Sequence, residues 1–310
     1  MPDPATTTDR SIPTGTQYEL RAGDQTAVVV EVGGAVRTYD VGGVPVLDGF
    51  GVEEIPQGAR GAPLVPWPNR VKDGRWTWQG EERQLDLTEP AQHNAIHGFG
   101  LWQGWSPRER SEDRIVMGTV MHARPGYPWR LDVTVAYELG DGGLTVETRG
   151  RNLSATPAPY AAGAHPYLHA GAETIDDARL VLPARTRVTT GEQQIPTGVE
   201  PVEGTPYDFR SGAPLRGLEV DHAFGDVERD ADGLAWMELH RAAGRVTRVW
   251  WDRAYPWFEV FTGDALTRRP RGGLGVEPMT APPDALNTRT DLVVLAPGEE
   301  HVGRWGVRLD

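Results

Sequence analysis

Residues 130–154 read RLDVTVAYELGDGGLTVETRGRNLS. Leu131, Val133 and Val135 recur at every second position with polar residues between them, the period of a strand buried on one face. Asp141 to Gly143 then supply a glycine-rich turn, and the alternation resumes beyond it. This pattern predicts two antiparallel strands that pack on a core from one side only.

Outward from that pair, the same grammar repeats. TAVVVEV (26–32) runs into a glycine pair and AVRTYDV (35–41) runs into another, while GRWTWQGEERQLDL (74–87) alternates around a turn at Gln79 and Gly80. ARLVLPARTRVTT (178–190), AWMELHRAAGRVTRVWWD (235–252), WFEVFTGD (257–264) and LVVLAPGEEHVGRWGVRL (292–309) are short, β-rich and bounded by Gly, Pro or Asp. WMELHRAA (236–243) can be drawn as a helix, but a strand fits it equally well. The 38 glycines and 26 prolines are scattered along the chain, which indicates many turns and no low-complexity linker. With no internal repeat and no sharp compositional break, the expectation is an all-β protein: a flexible tail over 1–16 and one large antiparallel β-sandwich over 17–310.

Charge narrows the partners. Against 44 acidic side chains stand 31 basic ones, and the net charge of -13 opposes attraction to nucleic acid or to an anionic membrane. Without cysteine there is no disulfide, thiol nucleophile or thiolate metal site. The first residues carry no basic entry followed by an apolar run, and no later apolar run reaches membrane-spanning length, so a cytoplasmic protein is expected. Eleven tryptophans suit either a core or stacking on a sugar ring.

Four segments concentrate polar residues beyond what a structural sandwich needs. In PWPNRVKDG, Asn69 and Arg70 follow a proline-stiffened approach, which suits a directed arginine or a turn at the surface. In HNAIHGFG, Asn94 and His97 precede glycines that let backbone approach a ligand, although a solvated histidine would look the same. In GAHPYLH, His165 and His169 stand four apart, but Pro166 and the extended flanks argue against a helical metal-binding pair, and no metal is expected. In GVEPMTAPPDALN, Glu277 lies in an apolar strand-like run, where a carboxylate needs either an ion pair or a role as a base of raised pKa. A proton donor, a carboxylate and several directed hydrogen-bonders together suit a neutral polyhydroxylated substrate.

From about Gly33 to the carboxyl end, the ordered motifs PWPNRVKDGRW, NAIHGFG, GAHPYLH, DHAF, WFEVFTGD and GVEPMTAPPDALN resemble those of the aldose 1-epimerases, typified by galactose mutarotase. The resemblance implies a large antiparallel β-sandwich, a monosaccharide substrate and no cofactor, in a monomer or homodimer. It implies that Glu277 removes the proton of the C1 hydroxyl while His165 protonates the ring oxygen, so that the ring opens and recloses from the other face. Activity would then fall on the acid side as Glu277 protonates. Arg70, Asn69, Asn94, His97 and Asp221 would bind sugar hydroxyls, and Trp257 and Trp67 would stack on the ring or pack the core. HGFG stands where many relatives have two glycines, and Trp67 replaces a smaller residue. The PWPNR and HGFGLWQGW variants resemble a bacterial subgroup typified by sulfoquinovose mutarotase. A further branch, the hexose-6-phosphate 1-epimerases, needs a cationic pocket, for which Arg268, Arg269 and Arg271 of TRRPRGG are the candidates. A noncatalytic sugar-binding sandwich is the competing class. A β-sandwich glycosidase or lyase is a third, but glycosidases generally use two carboxylates where these motifs offer a histidine and a glutamate.

Overall fold

The computed structural model describes residues 6–7, 12–242 and 244–310. Much of the expected tail over 1–16 lies outside them. Thr6–Thr7 pair with Gln17–Ala22, and Thr14 accepts a hydrogen bond from the Gln17 amide at 3.0 Å.

The diagnostic stretch forms the hairpin its alternation predicts. Leu131–Gly140 and Gly143–Asn152 pair antiparallel without a slip, from Leu131 opposite Asn152 to Gly140 opposite Gly143. Leu131, Val133, Val135, Tyr137 and Leu139 are buried, and the residues between them are not. A one-residue slip would turn that whole apolar face to water, at about 1.5–3 kcal/mol for each large side chain exposed. Gln79 and Gly80 both take positive φ (51° and 84°), the conformation a two-residue hairpin turn requires, and join Arg75–Trp78 to Glu81–Gln84. Of the segment that could be drawn as a helix, 236–240 is extended and residue 243 lies outside the described residues: Ala235–His240 pairs along its length with Val246–Trp251. Packing decides this, because Ala235, Met237 and Leu239 share one buried face at period two.

The hairpin lies inside a nine-stranded antiparallel sheet, flanked by Arg114–Met121 on one side and Glu300–Leu309 on the other. An eight-stranded sheet runs through Ala184–Thr190, Asp221–Val227, Trp257–Phe261, Leu274–Met279 and Gly163–Ala164, and a five-stranded sheet forms the amino-terminal part. One apolar cluster joins the two large sheets: Val133, Val249 and Trp305 of the first meet Phe224, Phe258, Val260 and Val276 of the second. The architecture is thus a large antiparallel β-sandwich. Among the described residues α-helix is confined to Ala285–Thr288, and no helix is long and apolar enough to cross a membrane.

Candidate active site

The site follows from strand parity. In Leu274–Met279, Leu274 and Val276 enter the core, so Glu277 must point to the opposite face of the sheet. On the neighbouring strand Phe258 and Val260 enter the core, and Glu259, directly across from Glu277, shares its face. Asp221 lies across from Phe261 on the next strand. On the other side Gly163 pairs with Met279 and Tyr167 with Gly275, so position 165, midway between, comes level with 277. Two motifs more than a hundred residues apart in sequence therefore meet by register.

The meeting is close. His165 Nε2 lies 3.0 Å from Glu277 Oε1, both side chains are almost wholly buried, and the second Glu277 oxygen has no hydrogen-bond partner among the described residues. Burial pushes the Glu277 carboxyl well above the usual carboxylate range, with the Asp221 charge adding to the rise and Arg70 opposing it. Burial, reinforced by the Arg60 and Arg70 cations, pushes His165 down to about 3. Each group resists carrying charge alone, so the pair is poised to share a proton along one hydrogen bond.

His97 stands edge-on to His165, with ring centroids 5.4 Å apart. Ligating atoms of His97, His165 and Glu277 lie within 4.8 Å of one another, which makes a cation site conceivable on distance alone. The Asn69 amide, however, donates to His97 Nδ1 at 3.1 Å. Burial holds His97 well below its usual range, so the ring is neutral, its proton sits on Nε2, and it offers the site a donor where a metal would need a lone pair.

Arg70, on Arg70–Lys72, is held by a fork of hydrogen bonds from Nε and Nη2 to Glu89 at 3.0–3.2 Å and lies 3.5 Å from Asp221. Together with Asn69, His97, His165, Asp221 and Glu277 it lines a cleft of about 440 Å³. Asn94 does not line this cleft: its amide nitrogen donates to Glu89 at 3.0 Å and to the Gln193 carbonyl at 2.8 Å, so it braces the partner of Arg70. Trp257 lies outside it too, packed on Val188, Ala223 and Met279 with its indole donating to Asp291 at 2.8 Å. Trp67 is buried edge-on to Phe99. The aromatic side chains lining the cleft are Tyr167, Phe261 and Trp102, the last 59% exposed.

Residues not singled out from sequence complete the picture. Glu259 is buried, held well above its usual range by burial and by Asp221 and Glu277, and receives a hydrogen bond from the Asn69 side-chain Nδ2 at 3.3 Å, a different donor from the backbone N–H that reaches His97. WFEVFTGD read only as a short strand, and nothing in that segment showed that one of its faces is a cleft. Glu89 had no motif to mark it. Of the arginine run, Arg269 binds Asp48 and the Gly49 carbonyl, Arg271 is spent on Asp176, Asp264 and two backbone carbonyls, and Arg268 is exposed. None of the three lines the cleft.

With this geometry in hand, comparison with known proteins is specific. The family model described as Aldose 1-epimerase matches residues 16–307. The chain is 32% identical over 289 residues to the uncharacterized protein YihR of Escherichia coli, covering 93% of this chain and 91% of that one. The same fold occurs in the GalM/aldose epimerase homologue of C. elegans (TM-score 0.84, 17% identity, 95% and 98% of the two chains). It occurs again in galactose 1-epimerase of Lactobacillus acidophilus (TM-score 0.80, 18% identity, 98% of each chain).

Proposed function

Since the chain belongs to the aldose 1-epimerase family, we propose that it interconverts the α and β anomers of a neutral hexose, with Glu277 and His165 exchanging protons with the sugar. The observation that carries this reading is the buried contact between His165 Nε2 and Glu277 Oε1 at the floor of a polar cleft. Anomerisation takes a proton from O1 and delivers one to the ring oxygen, then reverses both transfers after the C1–C2 bond has rotated. A pair that holds one proton in common serves both directions. With O1–H donating to Glu277 and the ring oxygen facing Nε2 of His165, the shared proton moves to the imidazole, Glu277 takes the O1 proton, and the C1–O5 bond breaks as His165 protonates O5. The His97 Nε2–H offers a further hydrogen bond near the ring oxygen, and Arg70 with Asp221 grips hydroxyls away from C1.

A neutral sugar is favoured because carboxylates outnumber cations in the cleft wall. With Glu277 sharing a proton with His165 and Asp264 paired with Arg271, Glu89, Glu219 and Asp221 remain to face a single guanidinium, which is already forked onto Glu89. A 6-phosphorylated or 6-sulfonated hexose would meet that excess negative charge with no arginine of the run 268–271 in the cleft wall.

Shared protonation also shapes the pH dependence. The one-proton state ends on the acid side where His165 takes a second proton, at about 3, and on the alkaline side where the pair loses its proton above the usual carboxylate range. The acidic fall anticipated from Glu277 alone is thereby displaced downward, and kcat/KM should stay level through mildly acidic pH.

The test is mutarotation of freshly dissolved α-glucose and α-galactose followed by polarimetry or NMR, beside their 6-phosphorylated and 6-sulfonated counterparts. Acceleration of the neutral anomers is expected. Binding without acceleration would mark a noncatalytic sugar-binding protein, release of new reducing ends a glycosidase or lyase, and faster turnover of the charged sugars would overturn the neutral assignment.

A further inference from the structure

Beside His165, an aromatic ring and then a guanidinium are layered. The His165 and Tyr167 rings are stacked with centroids 4.9 Å apart and an interplanar angle of 4°. Over the Tyr167 ring sits the Arg60 guanidinium, 3.9 Å from its centroid. Arg60 is buried and does not line the cleft. It is anchored by an ion pair to buried Asp48 and by a 2.8 Å hydrogen bond to the Asp48 carbonyl.

Every layer of this stack is tied to the next. The Tyr167 hydroxyl donates to the Gly58 carbonyl at 2.9 Å, and the Asp48 amide donates to the Tyr167 carbonyl at 2.8 Å. The amide of Gly61, next to Arg60, donates to the His165 carbonyl at 2.8 Å, and the His165 amide donates to Ala62 at 3.0 Å. There is no slack at the edges: a Cβ on Gly58 would come within 2.4 Å of the Tyr167 hydroxyl, and one on Gly273 within 2.6 Å of an Asp48 carboxylate oxygen.

We infer that Arg60, which does not line the cleft, is a positioning residue for the reaction: through Tyr167 it fixes the plane of His165. This rests on the mutarotase reading of the site. A guanidinium presents a flat, delocalised cation that an aromatic face accepts, whereas the ammonium of lysine has no plane to stack. The cation discourages a second positive charge on the nearby ring, a trend visible in the lowered His165 value, to which burial contributes most, Arg60 next and Arg70 after it. The other groups facing the ring are Glu277, which shares a proton with it, and the neutral His97 and Tyr167.

Arg60→Met removes cation and plane together, and Arg60→Lys restores the cation without the plane. Arg60→Met combined with Asp48→Asn guards against misfolding caused by a stranded buried carboxylate. Two readouts apply: kcat and KM for α-hexose mutarotation at neutral pH, and the protonation of the His165 imidazole followed by NMR during an acid titration. In the Met variants the His165 midpoint should rise by about one unit, and kcat should fall several-fold with KM little changed. In Arg60→Lys the midpoint should stay near that of the parent while kcat recovers only in part. A parent-like midpoint and kcat in whichever Met variant folds would overturn the role, as would losses that track thermal stability alone. If the parent does not accelerate mutarotation, the functional reading fails by itself, and the NMR titration still decides whether Arg60 governs the ring.

Discussion

Two strands of this sandwich obey the same two-residue period and come to opposite ends. Leu131–Gly140 alternates buried and open residues, with its polar side chains in water. Leu274–Met279 is buried along both faces, and the face turned away from the core carries Glu277, beside Glu259 of the next strand and level with His165. In the first strand a polar side chain is stable wherever it sits, because water solvates it. In the second the fold keeps two carboxylates out of water, and their affinity for protons rises. The hairpin is therefore the part of the molecule that specifies the fold, and the buried strand is the part that the fold holds ready for chemistry.

Substitution can break this contrast. Glu277→Gln keeps shape and hydrogen bonding but cannot accept the O1 proton, and should lower the catalysed rate roughly a hundred- to ten-thousand-fold while hexose binding persists; near-normal turnover by NMR would remove Glu277 from the reaction. Leu131→Ala should do the converse. It empties a fully buried position of the hairpin and should cost about 2–5 kcal/mol in denaturant unfolding, while the folded fraction keeps its kcat. Loss of kcat in protein shown to be folded would mean that the two regions are not separable. The smallest effect is expected from Glu259→Gln. If the carboxyl at 259 remains protonated during turnover, an uncharged amide of the same shape should change kcat/KM by less than about ten-fold, within the loss typical of a single hydrogen bond. A loss comparable to that of Glu277→Gln would show that the second carboxylate ionises in the cycle.

Legibility from sequence followed the range of the interactions involved. Strands and turns were readable because alternation, glycine pairs and Gln79-Gly80 act within a few residues, and the helical reading of 236–243 lost because strand pairing buries alternate positions. His165 and Glu277 were visible as a proton donor and a carboxylate in apolar settings, and their motifs had a familiar order. Asn94 shows the limit. Its segment marked it as polar and purposeful, but only the fold reveals that its amide reaches back to Glu89 and the Gln193 carbonyl. Trp257 is similar: its segment left stacking and core packing both open, and its place beside Val188, Ala223 and Met279 depends on which residues the neighbouring strands bring next to it.

By itself, the sequence determined that this chain folds as antiparallel strands with one buried face, and that a histidine and a glutamate stand where a purely structural sandwich has no use for them. Tertiary structure decided the rest: that positions 165 and 277 come level across paired strands, that Glu259 joins them, that Arg269 and Arg271 are spent elsewhere, and that Arg60 and Tyr167 stack beside the histidine. The reason is one of scale. Periodicity and turn chemistry are properties of neighbours along the chain, whereas the proton affinity of a buried group is set by what the fold brings within a few ångströms of it.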